Sequence, residues 1–157
     1  MFEAHYDLVW RVLKGVGVPD ASAEDGAQQV FVIASRRIDD IEPGRERAFL
    51  CATAVKLAAP LRARPNHVPV DEALEPAAPD TPADEVHRKQ QRALLERFLS
   101  QLDDELRTAV VLSELEGLSK KEVAEALGIP EGTAASRLRR GREELQAIFK
   151  RWKAAQR

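Results

Sequence analysis

Residues 118–133 read LSKKEVAEALGIPEGT, and the fold turns on how that stretch is punctuated. Ser119 and Glu122 stand at the S-x-x-E spacing of a capping box, in which each side chain satisfies the other residue's free backbone amide at the start of a helix. Val123 and Leu127 give the short helix an apolar face, and the small Ala124 lets a crossing helix come close. Gly128 can take the left-handed conformation that ends such a helix. Ile129 plugs the corner, and Pro130 suits the first turn of the next helix. These parts agree with one another and predict a helix-turn-helix.

The helix that follows is predicted over 131–152, roughly 33 Å long at helical rise. Ala134, Leu138, Gly141 and Leu145 fall on its inner side, while Ser136, Arg139, Arg140 and Glu143 point away, with Arg137 and Arg142 on the flanks. A recognition helix reads base edges mainly from its N-terminal half. Thr133, Ala135, Ser136, Arg137, Arg139, Arg140 and Arg142 are therefore the candidate nucleic-acid contacts. An arginine can bind guanine bidentately or neutralise a phosphate, and both roles stay open here. Lys120 and Lys121, at the start of the preceding helix, are placed for phosphate.

Upstream, apolar residues at helical spacing predict helices near 85–100 and 103–116, the latter closed by Gly117. The N-terminal sixty residues hold three more stripes: 2–14 (Phe2, Tyr6, Val9, Trp10, Leu13), 22–38 (Ala23, Ala27, Val30, Phe31, Ala34, Ile38) and 45–63 (Ala48, Phe49, Ala52, Val55, Ala59). Asp20 to Ser22 make a plausible N-cap region for the second, and Pro60 is expected to kink or end the third. Three helices in so short a lobe lie near the lower size limit for an independent core.

Between the lobes, 65–86 carries six acidic residues, no Lys or Arg, and five of the nine prolines. Few large apolar residues separate them, so 65–85 reads as a linker. It reaches at most roughly 70 Å when extended. The prediction is all-α: two small helical domains, 1–64 and 86–157, joined by a Pro-rich acidic linker, the second containing the helix-turn-helix.

Charge supports a polyanion partner for the second lobe. The chain of 157 residues has a net charge of −2 from 24 basic and 26 acidic residues. Yet 137–157 alone holds eight basic against two acidic side chains. A local field of that kind is what a nucleic acid feels. The one cysteine, Cys51, excludes an internal disulfide, and His5, His67 and His87 are too scattered for a metal site. No nucleophile–base pairing or phosphate-binding glycine loop is legible. The expectation is a cytoplasmic, non-enzymatic protein without cofactor, metal, small-molecule substrate or membrane insertion.

Residues 118–145, LSKKEVAEALGIPEGTAASRLRRGREEL, resemble the region-four helix-turn-helix of bacterial sigma-70-type initiation factors, in particular the extracytoplasmic-function (ECF) group. The lead-in LDDELRTAVVLSELEGLS fits that group, and HYDLVWRVLKGVGVPDASAEDGAQQVFVIASRRI is similar to its region two. The resemblance covers nearly the whole chain apart from the linker. It implies a first lobe that grips the clamp helices of core RNA polymerase and engages the promoter −10 element. The second lobe would sit on the polymerase flap and read the −35 element.

On this resemblance the polymerase-binding motif maps to Asp25, Gln28, Gln29, Phe31, Arg36 and Arg37, with Gln29 where the group has an acidic residue. The −10 contacts map to Phe49, Lys56, Arg62 and Arg64. Here the group's Arg-Asn pair is replaced by Val55-Lys56 and its acidic position by Pro60. Ala134 and Ala135 stand where the group commonly has a large apolar and a basic residue. Two other readings compete: a DNA-binding regulator that does not recruit polymerase, and an interaction module bound by an anti-sigma factor.

Overall fold

The apolar stripes become helices. A computed structural model describes residues 3–63 and 82–156. Among these there is no strand, and no helix is long and apolar enough to cross a membrane. Seven α-helices follow in order: α1 (Tyr6–Gly15), α2 (Asp20–Arg36), α3 (Glu46–Ala63), α4 (Pro82–Leu99), α5 (Asp104–Val110), α6 (Lys120–Leu127) and α7 (Glu131–Ala155). Helices α1–α3 pack into one bundle; α5 and α6 pack on α7, with α4 against its far end.

Several boundaries depart from expectation for physical reasons. Helix α2 starts at Asp20, with Pro19 in extended backbone as its N-cap and no side-chain cap, so Asp20 to Ser22 lie inside the first turn. Helix α4 begins at Pro82, inside the stretch read as linker. Proline is tolerated there because the first turn leaves its amides unpaired in any case. The rest of the expected linker, and Arg64, lie outside the described residues.

Pro60 does not end the third helix, which runs on to Ala63. The bond that proline removes would have gone to the carbonyl of Lys56. Pro60 and Lys56 are both exposed, so water can serve that carbonyl. Leu61 is buried, and Arg62 donates to the carbonyl of Val16 at 2.9 Å, which ties down the last turn. The buried stripe of α3 is Ala48, Leu50, Cys51, Ala54, Ala58 and Leu61, shifted from the one expected. The shift follows from position: α3 packs on α1 and α2 on one side and on α6 on the other, so two of its faces are covered.

The helix expected over 103–116 is α5 continued by a π-helical turn, Val111–Leu115. There the amide of Glu116 bonds the carbonyl of Val111, five residues back, at 3.1 Å. Both lobes contribute to one hydrophobic cluster, with Leu13, Val30 and Leu50 from the first and Leu106, Leu112 and Leu138 from the second.

Candidate nucleic-acid interface

The turn between α6 and α7 is built as its sequence dictates. The amide of Glu122 donates to Ser119 Oγ at 3.1 Å, and the amide of Ser119 donates to Glu122 Oε1 at 2.9 Å, closing the capping box. Gly128 ends α6 with φ 68° and ψ 36°, the left-handed region that a Cβ disfavours. Pro130 is the N-cap of α7 in extended backbone, one position before the first turn where it was expected.

Below the turn, Ala134, Leu138 and Gly141 are buried and Leu145 half-buried, as expected for the inner face. Gly141 is required by proximity. A Cβ there would lie 2.5 Å from Val110 Cγ2 and 3.4 Å from the Leu106 carbonyl, so α5 crosses α7 at this point. That crossing fixes the rotation of α7 about its axis, and with it the direction of the outer residues.

Arg139 and Arg140 are exposed, while Thr133, Ala135 and Ser136 are half-buried along the same N-terminal half of α7. Lys120 and Lys121 are exposed at the start of α6. The flanking arginines have acidic partners on the preceding helical segment. Arg137 lies 3.7 Å from Glu105 and its side chain is 21% exposed; Arg142 pairs with Glu114. Sequence reading missed Glu105 and Glu114, because no local periodicity links residues on different helices. The four arginines thus form two classes, two held by carboxylates and two free to meet a ligand.

The first-lobe candidates occupy two neighbouring patches. Asp25 and Gln28 are exposed on α2, and Gln29 donates to Asp25 at 3.4 Å. Phe31 is half-buried, its ring stacked on that of Tyr6 at 6.0 Å between centroids. Arg36 and Arg37 are exposed at the end of α2. The Arg37 guanidinium sits 5.8 Å from the centroid of the Phe49 ring, bringing the two candidate sets together. Lys56 is exposed. Arg62 is engaged with the Val16 carbonyl and lies 3.7 Å from Asp104, so it is not presented to solvent as a free cation.

Phe49 lines a groove between α3 and α6, together with Asp40, Glu42, Arg45 and Glu125. Cys51, two residues on and on a different face of α3, is fully buried, and that burial pushes its thiol up to about 12. Among the described residues, no three His, Cys, Asp or Glu side chains gather as a metal site.

Comparison with known proteins finds family matches for both lobes. The family model "Sigma-70 region 2" matches residues 1–59, and "Sigma-70, region 4" matches residues 92–145. The chain is 32% identical over 147 residues to the ECF RNA polymerase sigma factor SigE of Mycolicibacterium smegmatis, covering 90% of this chain and 57% of that protein. It is 30% identical over 154 residues to the ECF RNA polymerase sigma factor SigW of Bacillus subtilis, covering 90% and 80%. In fold it is similar to CnrH, solved in complex with the cytosolic domain of CnrY, with a TM-score of 0.73, 24% identity and coverage of 95% and 84%. The chain therefore spans little more than half the length of the mycobacterial relative.

Proposed function

Since the chain belongs to the extracytoplasmic-function group of the sigma-70 family, we propose that it binds core RNA polymerase and directs promoter-specific initiation of transcription in the cytoplasm. Its role is to recruit and to read, while the chemistry belongs to the polymerase. The helix-turn-helix reads the −35 element, with Arg139 and Arg140 meeting DNA directly and Lys120 and Lys121 taking phosphate. Asp25, Gln28, Gln29, Phe31, Arg36 and Arg37 grip the polymerase, and Phe49 with Lys56 engages the −10 strand. Regions 1–64 and 86–157 act as the two functional domains.

The observation that carries this reading is the α6–α7 turn. Its capping box and left-handed Gly128 set α7 so that Arg139 and Arg140 face solvent while Leu138 is fully buried. Run-off transcription tests it: the purified chain added to core polymerase should yield discrete transcripts from a cognate promoter, and core alone should not. Promoter binding without capture of core polymerase would favour a regulator that recruits no polymerase. That second reading draws on Val55-Lys56 and Pro60, which remove polar groups used to hold an unpaired strand. Tight capture of a partner protein with neither activity would favour the interaction module, and the CnrH complex is a precedent of similar fold.

A further inference from the structure

Four of the six residues from 137 to 142 are arginines, and a cluster that dense on a helix facing DNA invites indiscriminate binding. Each guanidinium that neutralises a phosphate adds affinity for any duplex, because the gain comes from releasing counterions rather than from base edges. That contribution is the same on promoter and non-promoter DNA. It lengthens residence everywhere without improving the choice of site. The segment packed across α7 carries the means to hold it down.

Helix α5 crosses α7 at Gly141, where Val110 leaves no room for a Cβ. Arg137 lies before that crossing and Arg142 just after it, and the segment supplies a carboxylate to each. Glu105, in the first turn of α5, stands 3.7 Å from Arg137 Nη2, and the arginine side chain is only 21% exposed. The positive end of the helix dipole favours the charge on Glu105. Glu114, within the π-helical turn, accepts from Arg142 Nε. Arg139 and Arg140, between them, are exposed.

Apolar packing already holds the segment in place, with Leu106, Ala109 and Val110 buried together with Leu138 of α7. The side chains of Glu105 and Glu114 are 71% and 43% exposed, and ion pairs so open to water contribute little to folding. Their larger effect is on a third charge. An arginine that faces a carboxylate must give it up before taking a phosphate, and the carboxylate itself repels the DNA backbone.

We infer that Glu105 and Glu114 are positioning residues that withhold Arg137 and Arg142 from phosphate, which sets a low sequence-independent affinity for DNA. The inference rests on the reading of α7 as the −35 helix, and it adds two residues that act on DNA binding only through others.

The test uses the full chain, alone and bound to core polymerase, with two fluorescent probes. One is a duplex that the wild type selects from a random pool, the other a scrambled duplex of the same composition. Affinities are titrated over a range of salt. Glu105→Gln combined with Glu114→Gln should bind both duplexes roughly tenfold more tightly at low salt, with their ratio unchanged. The slope of log K against log salt should steepen by about 0.9 for each released arginine. Adding Arg137→Gln and Arg142→Gln to that variant should return affinity and slope to wild type, since neutral pairs are then replaced by neutral side chains. A gain that survives those two exchanges would be simple relief of repulsion and would overturn the inference. So would a gain confined to the selected duplex, which would assign the released arginines to base edges. A lowered urea midpoint with an unchanged salt slope would make the pairs mere braces, and the inference would fall while the −35 reading stands. If no duplex is selected or bound in either form of the chain, both fall together.

Discussion

Arg137 and Arg140 sit one turn apart on α7 with the same charge, but Arg137 leans on Glu105 while Arg140 faces solvent. A free guanidinium can adopt the bidentate geometry that guanine offers in the major groove. Arg140→Ala should therefore weaken binding to a cognate −35 duplex by ~1–3 kcal/mol and narrow the gap between cognate and scrambled duplexes. Competition titration at several salt concentrations measures this. An equal loss on both duplexes, with the salt slope reduced by about one, would assign Arg140 to phosphate instead. Cys51 supports a second prediction. Its thiol is raised from 9.0 to about 12, first by burial and then by the Glu116 carboxylate. Because the folded value exceeds the unfolded one, the contribution is fully present below pH 9 and is lost as pH rises toward 12. Denaturant midpoints recorded over that window should fall less steeply for Cys51→Ala than for wild type. At this scale the local motifs were legible: Ser119, Glu122 and Gly128 interact with residues a few positions away. The carboxylates that hold Arg137 and Arg142 were not, since a sequence gives no sign of which distant side chain will arrive opposite.

Helix existence was read correctly wherever one face alone is apolar, as in α1 and α7. The third helix was harder. Its apolar residues surround much of its circumference because α6 covers what would otherwise be a solvent face, so the choice of stripe was ambiguous and the one read was displaced. Pro60 misled for a related reason. The usual penalty assumes that the lost hydrogen bond leaves a stranded carbonyl, whereas here the affected face is open to water. The remaining cost is intrinsic to proline in a helix interior. Pro60→Ala should accordingly raise stability, by about 1–3 kcal/mol, seen as an increased urea midpoint with an unchanged slope. An unchanged or lowered midpoint would mean that the fixed φ of proline already compensates through the unfolded chain.

Over the whole molecule, a net charge of −2 conceals a division of labour, with cations concentrated after residue 136 and an acidic, proline-rich stretch before residue 87. That division was legible from counting. The shared hydrophobic cluster was not, because lobes separated by some twenty intervening residues leave no periodic trace of their docking. The π-helical turn leads into Glu116, whose carboxylate meets Arg11 of α1 at 2.9 Å, so it is a joint through which the docking is aimed. Such a turn amounts to one residue more than α-helical winding would use. Deleting Ser113, half-buried within it, should let α5 wind on regularly and swing everything downstream through ~100°. Glu116 would then face away from Arg11. The chain should still melt as a helical protein by circular dichroism, yet behave in scattering as two beads on a string. A single missing codon would thus act as a gear change, leaving each lobe's teeth intact while they no longer mesh.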